Sequence, residues 1–169
     1  MNHTDSWYKE QYGYFENEGH GSVKSVERSK KFGEVFTPNW LVYKMLDEIP
    51  GSSGIDNTVF EPACGEGAFI KAVLRRKLQN AHTDAEKIRC CQTCYGVDIQ
   101  YDNVLACRRK LVDIAVDFGV DVWRARFIFA RNIVHGDFLF FPMLIRIYDW
   151  KDGTWTTIED MEKSNDCIQ

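Results

Sequence analysis

Three carboxylates, Glu61, Asp98 and Asp137, each close a short apolar run that reads as a β-strand. Between the first and second lies Pro62-Ala63-Cys64-Gly65-Glu66-Gly67, a tight turn leading into a helical pattern. Glycines after a first strand let backbone approach a ligand closely. Acids at strand tips accept hydrogen bonds from hydroxyl and amine groups. A glycine turn followed by an acid at the end of the second strand suits a ligand that carries a ribose.

Two common nucleotide motifs are absent. Asp98 follows Glu61 at well over the roughly 20-residue spacing of a nicotinamide fingerprint, and the turn lacks a third glycine. No G-x-x-x-x-G-K-[ST] segment exists, so there is no P-loop. The cysteines Cys64, Cys90, Cys91, Cys94, Cys107 and Cys167 include one C-x-x-C, Cys91 to Cys94. A zinc site needs about four ligands, and no second pair stands at ligand spacing. The expectation is reduced thiols and no metal.

The elements that position these residues follow from pattern. Residues 1–31 read as a polar lead-in with one short helix, where Trp7, Tyr8, Tyr12, Tyr14 and Phe15 cover an apolar face. Thr37 is a candidate N-cap and Pro38 a candidate first helical residue, with the helix running to Ile49. Strands are expected at Thr58 to Glu61, Cys94 to Ile99, Arg131 to Asp137 and Met143 to Tyr148. Helices are expected from Ala68 to Leu78, around Ala85 to Cys90, and from Asp102 to Phe118. Thr154 to Ile158 is expected to pair back as a hairpin, and residues 160–169 form a polar tail. Strand and helix alternate, so the fold class is α/β: a parallel sheet with helical crossovers over residues 32–159. Such sheets bind ligands at the carboxyl ends of their strands.

The 169 residues have 44% hydrophobic content, enough for one packed domain. With 21 basic and 25 acidic residues the net charge is −4, unlike a strongly basic nucleic-acid module. The chain has no long uncharged apolar run and no apolar signal core, so no membrane partner is expected and the expected location is cytoplasmic.

The segment F-E-P-A-C-G-E-G-A-F-I at 60–70 resembles the cofactor loop of adenine-specific DNA methyltransferases, which use S-adenosylmethionine. G-E-V-F-T-P at 33–38 resembles the segment that precedes this loop in modification subunits of restriction–modification systems. Y-G-V-D-I at 95–99 and H-G-D-F at 135–138 resemble the second- and third-strand motifs. The family usually has Asp where Glu61 stands. The resemblance implies a Rossmann-like methyltransferase fold and the following roles. Phe36, Thr37 and Pro38 would lie against the methionine end, and Glu61 near the aminoacyl group. Ala63, Gly65 and Gly67 would form the backbone cradle. Asp98 would hold the ribose hydroxyls and Ile99 would pack on adenine. Asp137 would accept from the exocyclic amine, with Phe138 as an apolar wall.

The family's N-P-P-Y motif, which holds the target base, has no counterpart: none of the four prolines neighbours another or follows Asn. Asp149 and Trp150 are the only replacements at that place, one to accept an amine and one to stack; a surface turn explains them better. The resemblance thus covers the cofactor half of a methyltransferase, with the sheet cut short. Such a sheet needs a hairpin, a second polypeptide or a homodimer along its open edge. DNA is the expected substrate of an active form. The alternative is a catalytically inactive subunit that binds cofactor or a partner.

Overall fold

The computed structural model describes residues 3–13, 37–157, 160, 167 and 168. The chain divides into two compact units, Met1–Pro50 and Gly51–Gln169.

In the first unit, α1 (Asp5–Tyr12) is capped by Thr4, whose hydroxyl accepts from Trp7 N–H at 3.3 Å. Helix α2 (Asn39–Glu48) begins one residue later than the proline rule suggests. Pro38 is itself the N-cap, with extended backbone, and its carbonyl accepts from Leu41 and Val42 N–H; Thr37 makes no cap. The two helices meet through aromatic rings, as the lead-in aromatics suggested. Tyr12 stacks on Tyr43 at 3.8 Å, and buried Tyr8 donates its hydroxyl to Asp47. Tyr14, Phe15 and Phe36 lie outside the described residues.

The second unit is α/β. Strand β1 (Thr58–Glu61) leads through the glycine turn to α3 (Ala68–Gln79) and α4 (Asp84–Gln92), then to β2 (Cys94–Asp98). Helices α5 (Tyr101–Asp117) and α6 (Val122–Asn132) follow, and then β3 (Ile133–His135). Strand order is β3-β2-β1-β6, where β6 is Cys167–Ile168, and every neighbouring pair is parallel. The expectation of a parallel sheet with helical crossovers is met.

Strand β2 is buried along its whole length, which is why it reads as a continuous apolar run. On its helical side, a Cβ at Gly96 would sit 2.5 Å from Ile70 Cδ1, so α3 packs directly onto the strand. On the other side, Tyr95 and Val97 join Ile145 and Ile147, with Phe60, Val134, Phe138 and Trp150 packed around them. Helix α4 carries a full capping box between Thr83 and Glu86. Lys77 is fully buried and donates its ammonium to the Asn57 carbonyl and to Thr93 Oγ1, the latter at 2.8 Å.

Several expectations are corrected. The third strand is shorter at both ends than expected: residues 131 and 132 end a helix, where the Asn132 amide donates to the Cys91, Gln92 and Cys94 carbonyls, and the strand stops at His135, so Asp137 lies beyond it and does not close it. Helix α6 itself was not foreseen. The fourth strand, β4 (Arg146–Asp149), is not in the parallel sheet: it pairs antiparallel with β5 (Thr154–Thr157) in a separate hairpin. A short 3-10 turn, Pro142–Leu144, takes the start of the expected strand. The free side of β1 is taken by β6, from the stretch read as a polar tail. No helix among the described residues is long and apolar enough to cross a membrane.

Candidate functional site

The tips of β1, β2 and β3 are stitched together by backbone and carboxylate. Cys64 N–H donates to the Val97 carbonyl at 2.8 Å, and Gly136 N–H to the Asp98 carbonyl at 3.1 Å. Gly65 N–H donates to Asp98 Oδ2 at 2.8 Å. The glycine turn, the acid of β2 and the start of the Gly136-Asp137-Phe138 segment therefore occupy one end of the sheet.

Asp98 is 7% exposed and already well used. Its Oδ1 accepts from Gln100 N–H at 2.8 Å and from Asn103 Nδ2 at 3.2 Å. A carboxylate has about four lone-pair sites, so one remains, on Oδ2. Asn103 was not singled out from sequence. It lies in the first turn of the helix that follows the acid, a place that no local sequence pattern marks.

The glycine turn has local reasons for both glycines. Gly65 and Gly67 hold φ of +52° and +83°, a region that side chains disfavour. A Cβ on Gly67 would also lie 2.5 Å from Cys107 Sγ on α5. Gly67 N–H closes the turn on the Cys64 carbonyl at 2.7 Å, and Glu66 pairs with Lys110 at 2.8 Å. Gly67 caps α3 with no side-chain hydrogen bond.

Around this turn, Ala63 is exposed and Ile99 is 42% exposed, an apolar side chain at the rim. Glu61 lies half-buried at the end of β1. Burial pushes its carboxyl above the usual glutamate range, and the Ala63 N–H beside it pulls the other way. Asp137 Oδ1 accepts from Leu139 and Phe140 N–H, each at 3.1 Å, so one oxygen shapes the loop. Phe138 turns under the sheet against Phe60, with ring centroids 5.5 Å apart. His135 Nε2 lies 3.0 Å from the Ile99 carbonyl and bridges β3 to β2 at the same end. Thr37 and Pro38 belong to the first unit.

Comparison of the chain with family models, with curated proteins and with solved structures finds no match.

The two candidate replacements for the missing tetrapeptide sit elsewhere. Asp149 Oδ1 accepts from Lys151 N–H at 2.8 Å and closes the β4–β5 turn. Trp150 donates its indole N–H to Asn132 Oδ1 at 2.7 Å and packs edge-on to Tyr148. Cys64, Cys90, Cys91, Cys94 and Cys107 are buried thiols, and burial raises Cys90 to about 11. No metal-binding group of His, Cys, Asp and Glu exists among the described residues.

Proposed function

We propose that the second unit binds S-adenosylmethionine across the tips of β1, β2 and β3, in a Rossmann-like methyltransferase fold. In this reading the chain is a DNA adenine methyltransferase or the cofactor-binding portion of one. The observation that carries the reading is the bond from Gly65 N–H to Asp98 Oδ2, which sets the glycine turn against the acid of β2. A ribose hydroxyl takes the last lone-pair site of Asp98. Ile99 covers one face of the adenine. The free oxygen of Asp137 accepts from the exocyclic amine, and half-buried Glu61 faces the ammonium of the aminoacyl end. Direct methyl transfer to an amine asks mainly for orientation, so few acid–base groups are needed.

The commitments of Asp149 and Trp150 to a turn and to Asn132 favour a second reading, in which the chain binds cofactor without transferring its methyl group. Leu139, Phe140, Phe141, Met143 and Leu144, all exposed and directly after Asp137, support a second chain covering this end and supplying what is missing.

Calorimetry with S-adenosylmethionine, followed by transfer of a labelled methyl group to DNA, separates the readings. Binding with transfer supports the enzyme, and binding without transfer supports the cofactor-binding subunit. No binding removes both.

A further inference from the structure

Helix α6 carries Arg124, Arg126 and Arg131 and no acid from Val122 to Asn132, in a chain of net charge −4. Its buried side is ordinary: Ala125, Ile128 and Phe129 fill the core. Its outer side exposes two large rings, Trp123 at 71% and Phe127 at 51%. The Arg126 guanidinium lies 5.2 Å from the Trp123 ring centre, and that of Arg131 lies 3.5 Å from the Phe127 ring centre. Beside this face, α5 and α6 enclose a cleft of about 240 Å³ lined by Arg108, Arg109 and Arg126, with Val112 and Phe129 as apolar walls and Asp113 as its one acid. Arg108 is spent on the Ile133 and Ala130 carbonyls. Arg109, Arg124 and Arg126 have no ion-pair partner among the described residues.

We propose that this face is a docking surface for single-stranded nucleic acid. Arg109 and Arg126 hold a phosphate at the cleft, Arg124 holds a neighbouring one, and Trp123 and Phe127 stack bases. Guanidinium groups match phosphate with paired donors, and exposed rings accept any base. Four residues along a helix rise about 6 Å, close to twice the ~3.4 Å spacing of stacked bases. An acidic helix would need a continuous apolar groove, whereas here arginines separate the rings. The last turn of α6 is tied by Asn132 to the Cys94 carbonyl at the amino end of β2, away from the strand tips. The inference therefore does not rest on the cofactor reading.

The test is fluorescence anisotropy of the full chain with a labelled oligothymidylate of about 12 nucleotides, within the usual range of single-strand sites. Saturable binding is expected, with quenching of Trp123 emission. Arg124→Gln with Arg126→Gln should weaken binding at least about tenfold and lower the salt slope by about 1.4, at ~0.7 per phosphate. Trp123→Ala should weaken it by about tenfold. All three positions are exposed, so circular dichroism and the calorimetric response to S-adenosylmethionine should stay unchanged. No binding, or binding indifferent to these substitutions, overturns the proposal. So does equal competition by oligoglutamate, which would assign the face to an acidic protein.

Discussion

The Trp150 indole N–H donates to Asn132 Oδ1 at 2.7 Å, while the same Asn132 side chain donates to the carbonyls of Cys91, Gln92 and Cys94. One fully buried amide thus ties the hairpin, the end of α6 and the amino end of β2. Asn132→Ala leaves several buried polar groups without partners. A loss of about 2–3 kcal/mol is expected in urea unfolding, the upper part of the scale for stranded groups. Trp150→Phe keeps a ring and loses one bond, for about 1 kcal/mol. A stability change in neither variant would remove this joint from the account.

Asp98 is both strut and proposed ligand. Asp98→Ala strands Gly65 N–H, Gln100 N–H and the Asn103 amide, so lost binding in that variant would be confounded by lost stability. Ile99→Ala is the cleaner probe, because the side chain is 42% exposed and supports little. Its unfolding midpoint should not move, while affinity for S-adenosylmethionine falls by about 1 kcal/mol, the scale of one or two buried methylenes. Unchanged affinity would take Ile99 off the adenine.

Gly67 faces two separate penalties on gaining a side chain. Positive φ costs a non-glycine residue of order 1 kcal/mol, and the new Cβ meets Cys107 Sγ at 2.5 Å. Gly67→Ala should therefore destabilise by about 2–3 kcal/mol. Adding Cys107→Ala removes the sulfur and should return part of that loss, leaving the backbone strain. Strict additivity of the two substitutions would contradict the close approach.

Glu61 predicts a pH dependence. Its carboxyl is raised by burial, so the folded chain binds a proton more readily there than the unfolded chain does. This contribution favours folding at low pH and is lost as pH climbs through the raised value. Glu61→Gln should raise the unfolding midpoint at neutral pH and leave it unchanged near pH 4, about where unfolded glutamate titrates. A cationic ligand favours the ionised form, so wild-type affinity for S-adenosylmethionine should fall as pH drops through the raised Glu61 range, and Glu61→Gln should flatten that profile. A profile of the same shape in both proteins would place the cation elsewhere.

What was legible in the sequence is what repeats along it. Strand β2 is an apolar run closed by an acid because it is buried along its whole length, and β1 is a shorter run, buried at Thr58 and Val59 and half-buried at Phe60 and Glu61. The Thr154 hairpin was legible from its Asp149-to-Gly153 turn. Helix α6 was not, because Trp123 and Phe127 lie exposed beside buried Ala125, Ile128 and Phe129, and apolar residues on both sides blur the helical period. Its one clear signal was Asp121, which caps the helix by accepting from Arg124 N–H at 2.9 Å. The pairing of β6 with β1 rests on contacts distant in sequence, which no local pattern records. At the candidate site, the acids and glycines were legible as types and spacing. The role of Asn103 was not, since it depends on how α5 leaves the sheet.

The central claim is that a sulfonium nucleoside occupies the end of the sheet marked by Gly65, Asp98 and Asp137. Titrating S-adenosylmethionine into the ¹⁵N-labelled chain and following backbone amide shifts tests it most directly. The account predicts saturable shifts concentrated at Gly65, Ile99, Asp137 and Phe138, with little change along α6. Absence of shifts at saturating ligand, or shifts confined to other parts of the chain, would contradict it.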